Sequence, residues 1–159
     1  MERWSNTASE LVCIALKAER LDVANAVITA IAKHGRRFFW DDRHHRVARF
    51  ALDRLGRVRL TDDYTGVPVL VSRRSQWRGF SHGGTLRALV EAMAGYIRTG
   101  EPITGRYFGP WPDWICDGDL WGYGAEAMKA LRADLAGSPA IVWRTPAPPP
   151  VVNAAQAGA

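Results

Sequence analysis

Residue types able to do chemistry gather at a few places in this 159-residue chain. The sharpest is Ser81-His82-Gly83-Gly84-Thr85, inside "WRGFSHGGTLRALVEAMAGYIRTGEP". Three chemistries fit it. A phosphate can sit on the free N–H groups of a helix start, where two glycines permit close approach. Arg74 and Arg78 lie just upstream to clamp it, although the Walker form is absent because no Lys follows Gly83-Gly84. A catalytic corner on Ser81 and His82 is the second. The third is helix capping by Ser81 or Thr85, each an ordinary N-cap residue contributing roughly 1 kcal/mol. Capping is the reading favoured here.

His44-His45 beside Asp41 and Asp42 has the composition of a metal site. Neighbours on a strand point to opposite faces, so the two histidines cannot chelate one ion together. A site joining His34, His44 and His82 would need tertiary packing that spacing does not encode. Asp113, Asp117 and Asp119 in "GPWPDWICDGDLWGYG" resemble a fragment of a calcium loop without its length or its terminal Glu. The expectation is therefore no metal, no cofactor and an acidic loop. That loop also holds Tyr107, Phe108, Trp111, Trp114, Trp121 and Tyr123 within 17 residues. Such aromatics fill pockets at protein interfaces, or staple a long loop onto a sheet. Acidic neighbours argue against base stacking at this spot.

Charge is segregated. Between His34 and Arg59 eight arginines face Asp41, Asp42 and Asp53, which accounts for the whole net charge of +5. From Val71 to Arg87 four more arginines, Arg73, Arg74, Arg78 and Arg87, stand without an acid. Arginine suits planar, bidentate contacts to phosphate and carboxylate, but codon bias in a GC-rich genome raises it too, together with Ala and Gly. Charge permits an anionic partner without naming it.

These residues need elements to hold them. Leu11, Ile14, Ala18 and Leu21, then Val23, Val27 and Ile31, predict a helix over Thr7 to Lys33, capped by Ser5, Asn6 or Thr7 and continuous or broken at Asp22. Apolar residues on more than one of its sides imply burial between two surfaces. "RVARFALD" (46 to 53), "RVRLTD" (57 to 62) and "VPVLVS" (67 to 72) predict an antiparallel meander. Val58 and Leu60 turn inward there, and Pro68 puts the third strand at an edge or a bulge. "RFFW" (37 to 40) is a candidate fourth strand. Leu86, Leu89, Val90, Met93 and Ile97 predict an amphipathic helix over Gly83 to Arg98. A further helix is expected from Ala125 to Ala136, and a short closing strand at 140 to 143. The fold class is α+β: an N-terminal helical segment, a three- or four-stranded antiparallel sheet with a central amphipathic helix on it, and a second, C-terminal helix. Residues 1–145 form one domain and 146–159 a mobile tail rich in Pro and Ala. Cys13 and Cys116 are read as reduced and buried. No apolar run of membrane-spanning length and no leader-like N-terminus is present, so a cytoplasmic location is expected.

The runs "RVARF…D…GRV…DDYTG", "WRGFSHGGTLRALV…YIRTGEPI" and "FGPWPDWICDGDLWGYG" resemble small proteins of proteobacterial prophages and mobile elements, among which the anti-CRISPR proteins acting on type I (I-F-like) surveillance complexes are the placement made here. That resemblance implies a non-enzymatic inhibitor that docks on a ribonucleoprotein and blocks DNA binding or nuclease recruitment. The partner is then a protein subunit of the effector. The expected docking residues are Arg73, Arg74, Arg78, Trp111, Trp114, Asp117 and Asp119. A basic chain is a poor DNA mimic, so the alternative is a small nucleic-acid-binding accessory protein working through Arg36, Arg37, Arg46, Arg49, Arg57 and Arg59. A homodimer stays open.

Overall fold

A computed structural model describes residues 2–34, 39–82, 84–108 and 125–143. Helix α1 runs unbroken from Glu2 to His34, so Ser5, Asn6 and Thr7 lie within it and Asp22 does not interrupt it. Two anchors tie its second half to the rest of the domain. The Asn25 carboxamide donates to Phe50 O (3.0 Å) and accepts from Phe50 N–H (2.7 Å). The Arg20 guanidinium donates to Ile97 O and Arg98 O. Ala24, Val27, Ile28, Ile31 and Ala32 are buried. Before Leu21 the expected burial fails: Leu11, Val12 and Ile14 are 61%, 59% and 57% exposed. Cys13, expected to be buried, is exposed as well.

Next comes a two-residue ribbon, β1 (Trp40–Asp41) antiparallel to β2 (Arg46–Val47). It shares Trp40 with the candidate fourth strand, of which residues 37 and 38 lie outside the described ones, and it forms a sheet of its own. The meander is as expected: β3 (Arg49–Leu52), β4 (Val58–Thr61) and β5 (Pro68–Leu70) pair antiparallel in that order. Phe50 faces Leu60, and Leu60 faces Val69. All three are buried. Pro68 begins the edge strand β5, where its missing N–H costs the ladder least.

Helix α2 (Gly84–Thr99) buries Leu86, Leu89, Val90, Met93 and Ile97 against α1 and β4. Gly100, at φ 80°, ends it by returning its N–H to Tyr96 O (2.8 Å). This left-handed cap favours glycine. Then follow β6 (Ile103–Thr104), a 3-10 turn (Gly105–Phe108), α3 (Ala125–Leu135) and β7 (Ile141–Val142). Met128, Leu131 and Leu135 face inward as expected. The closing strand pairs with β6, and it does so parallel. A parallel pair needs a crossover, which α3 supplies on its way past α1. The result is α+β, with one core shared by the three helices and the meander. Among the described residues no helix is long and apolar enough to cross a membrane. Residues 146–159 lie outside the described ones, so the expectation of a mobile tail does too.

Candidate functional site

The β4–β5 turn "DDYTG" and the segment "FSHGG" before α2 lie 19 residues apart in sequence, and the meander brings them together. Asp62 is 0% exposed. Its Oδ2 accepts the N–H groups of Tyr64 (3.0 Å) and Thr65 (2.9 Å), the turn geometry that Asp commonly builds. Its Oδ1 accepts both the N–H (2.8 Å) and the hydroxyl (3.0 Å) of Ser81. Next along, Asp63 Oδ1 lies 2.8 Å from His82 Nε2. The rings of Phe39 and Phe80 stand edge-on to that imidazole. Thr65 Oγ1 donates to Gly79 O. Gly79, at φ 95°, lets Val67 come so close that a Cβ there would lie 2.7 Å from Val67 Cβ.

This arrangement settles what Ser81 and His82 do locally. The Ser81 hydroxyl donates to a buried carboxylate three residues before α2 begins, so it anchors the preceding loop and does not cap the helix. His82 turns Nε2 to Asp63, and among the described residues no hydrogen bond joins its ring to Ser81, whose hydroxyl is held by Asp62. Trp77 locks the rest of the segment. It is buried at φ 56°, its indole N–H donates to Ser72 O (2.8 Å), and the Arg87 guanidinium lies 4.5 Å from its ring centre.

Two of the other histidines also pair with a carboxylate, His44 within its own turn and His34 across 100 residues of chain. His44 Nδ1 bonds Asp41, and His34 Nε2 bonds Asp134. Burial raises the Asp41 carboxyl, but the His44 N–H, the His44 ring and Arg43 outweigh it and hold the group below its usual range. Asp134 is held low chiefly by its bond to His34. Among the described residues no three His, Cys, Asp or Glu side chains gather as metal ligands. Asp113, Asp117 and Asp119 lie outside the described residues, as do Trp111 and Trp114.

The arginines separate into engaged and free. Arg57 and Arg59 each place Nε 2.9 Å from Asp53 Oδ2, and Arg59 also donates to Pro68 O. Burial raises the Asp53 carboxyl, yet the N–H groups of Arg57 and Leu55 and both guanidinium groups hold it far below the usual carboxylate range. Arg46 donates to the carbonyls of Asp63 and Tyr64. Of the four described arginines in the nucleic-acid set, Arg49 alone is exposed without such a partner. Arg36 and Arg37 lie outside the described residues. Arg73, Arg74 and Arg78 are exposed on the β5–α2 segment, Arg78 reaching only the neighbouring Gln76.

Arg73 also lines a groove of about 460 Å³ floored by Ala88, Ala92 and Gly95 of α2 and rimmed by Glu91, Arg98 and Glu101. Sequence reasoning missed this groove. Its signal was the run of small residues at i, i+4 and i+7 on the outer face of an otherwise amphipathic helix.

Fold and site together define a small α+β protein with a pinned loop presenting free guanidinium groups beside a groove. A family model described as YoqU matches residues 15–136, from the middle of α1 through α3, and the chain belongs to the YoqU family. No curated protein and no solved structure matches it.

Proposed function

We propose that this YoqU-family protein is a non-enzymatic binding protein that docks on a macromolecular partner through Arg73, Arg74, Arg78 and the groove beside them. The carrying observation is the double pin of Asp62 on Ser81 and Asp63 on His82. It fixes the segment bearing these arginines, so ordering them costs little on binding. The enclosed setting of the Asp63–His82 pair, between two phenylalanine rings, favours binding over catalysis.

The particular partner rests on the resemblance in the sequence. The protein acts on a CRISPR ribonucleoprotein effector in the bacterial cytoplasm and blocks DNA binding or nuclease recruitment. The acidic aromatic segment with Trp111, Trp114, Asp117 and Asp119 supplies the carboxylates for basic surfaces of such a complex. The test is capture of a purified type I effector by the tagged protein, with Arg73, Arg74 and Arg78 reversed to Glu in a parallel sample. Capture by the native chain and its loss in the reversed one is expected. Tight binding to labelled DNA or RNA alone, falling steeply with salt, would transfer the function to a nucleic-acid binder.

A further inference from the structure

We propose that the first half of α1 is a self-association arm that pairs, parallel and in register, with the same helix of a second copy of this chain. At 1.5 Å per residue the 33-residue helix is about 50 Å long, and among its residues of described burial, from Leu11 on, its own domain covers it only from Arg20 and Leu21 onward. The uncovered half carries Leu11, Ile14 and Leu16 in the open, and a helix in water draws most of its stability from packing such a face.

The spacing of the face names the occupant. Leu11, Ile14, Ala18, Leu21, Asn25, Ile28 and Ala32 alternate by three and four, the coiled-coil repeat. From Asn25 on, the chain's own domain occupies this seam: Asn25 clasps Phe50, and Ile28 and Ala32 are buried. Upstream the same seam is open. The seam therefore changes occupant near Leu21, where a partner helix would diverge from the domain.

With Leu11 and Ala18 at a and Ile14 and Leu21 at d, Lys17 falls at g and Asp22 at e. In a parallel pair, g of one helix meets the following e of the other, so Lys17 faces Asp22 of the second copy twice. Among the described residues neither makes an ion pair within its own chain. A membrane surface fits less well, because Lys17, Glu19, Arg20 and Asp22 balance in charge, where interfacial helices are rich in Lys and Arg.

Sedimentation equilibrium of the full chain, over a roughly hundredfold concentration range, tests this directly. A monomer–dimer equilibrium is expected. Leu11→Asp with Ile14→Asp should weaken it by at least roughly tenfold, with the cooperative unfolding of the domain retained. Lys17→Glu should weaken it too, and adding Asp22→Lys should restore it. A monomer at every concentration overturns the proposal, as does a dimer indifferent to Leu11 and Ile14. Failure of the Lys17/Asp22 exchange to restore pairing overturns the parallel register. A monomer that binds anionic lipid vesicles through the arm also overturns it.

Discussion

Asp63 Oδ1 meets His82 Nε2 at 2.8 Å, and one residue earlier on each segment Asp62 holds both donors of Ser81. Consecutive carboxylates therefore grip consecutive residues across 19 positions of chain. A slip by one residue would set a hydroxyl where an imidazole fits and break both contacts at once. The register of the segment before α2 is set by this pair of pins.

Asp62→Ala leaves the N–H groups of Tyr64, Thr65 and Ser81 without their acceptor in a buried site. A loss of about 1–3 kcal/mol is expected, since partly buried donors lose a shared charged acceptor. Ser81→Ala removes one hydroxyl bond only and should cost about 1 kcal/mol. Urea unfolding with an unchanged m value measures both.

Gly79→Ala should destabilise by about 1–3 kcal/mol, because the residue sits at φ 95° and the new methyl meets Val67 at 2.7 Å. Val67→Gly in the same chain removes both the Cβ and the Cγ1 that the new methyl meets, and should recover the steric share but not the backbone share. A double-mutant cycle separates the two. Full additivity would show that the close approach is not what the glycine serves.

The Asp53 carboxyl is held below its unfolded value, so it favours the folded state above the usual carboxylate range. That contribution is lost as pH falls through its depressed value. Asp53→Asn should therefore flatten the acid side of the stability curve and change little near neutrality in pH dependence. Melting temperature followed from pH 7 downward reads this out, and an unchanged acid slope would remove Asp53 from the account.

Reversing Arg73, Arg74 and Arg78 to Glu should abolish partner association, and Asp117→Lys with Asp119→Lys should reduce it at least about tenfold, some 1.4 kcal/mol. Reversal of Arg57 and Arg59 should matter less to association, because Asp53 already holds both. Should only the Arg57 and Arg59 reversals abolish association, docking occurs on the sheet face instead.

Periodicity made α2 legible almost to the residue, since Leu89 and Met93 report one face of one helix. The meander was legible for the same reason, with Val58 and Leu60 alternating against Arg57 and Arg59. Helix α1 was legible as a helix but not as an arm, because Leu11 and Val27 look alike until the domain covers only one of them. The pins of Asp62 and Asp63 left no local trace: Ser81 looks like a cap, and its true partner lies 19 residues back. The left-handed backbone at Phe39 and Trp77 was equally hidden, since bulky aromatics disfavour it and only tertiary packing imposes it. The i, i+3 bond of His44 to Asp41, by contrast, is a local one that the spacing of the two residues permits.

The parallel pairing of β6 with β7 makes the chain between them a closed circuit, leaving at Thr104 and returning at Ile141. Its flanks are fastened: Ile103 N–H to Ala140 O at 2.8 Å, the Phe108 ring 5.9 Å from that of Trp143, and α3 against α1. Mechanically the short ladder is a clasp: the chain leaves and re-enters the core at one place, so weakening Ile103 or Ile141 loosens both ends of the circuit together.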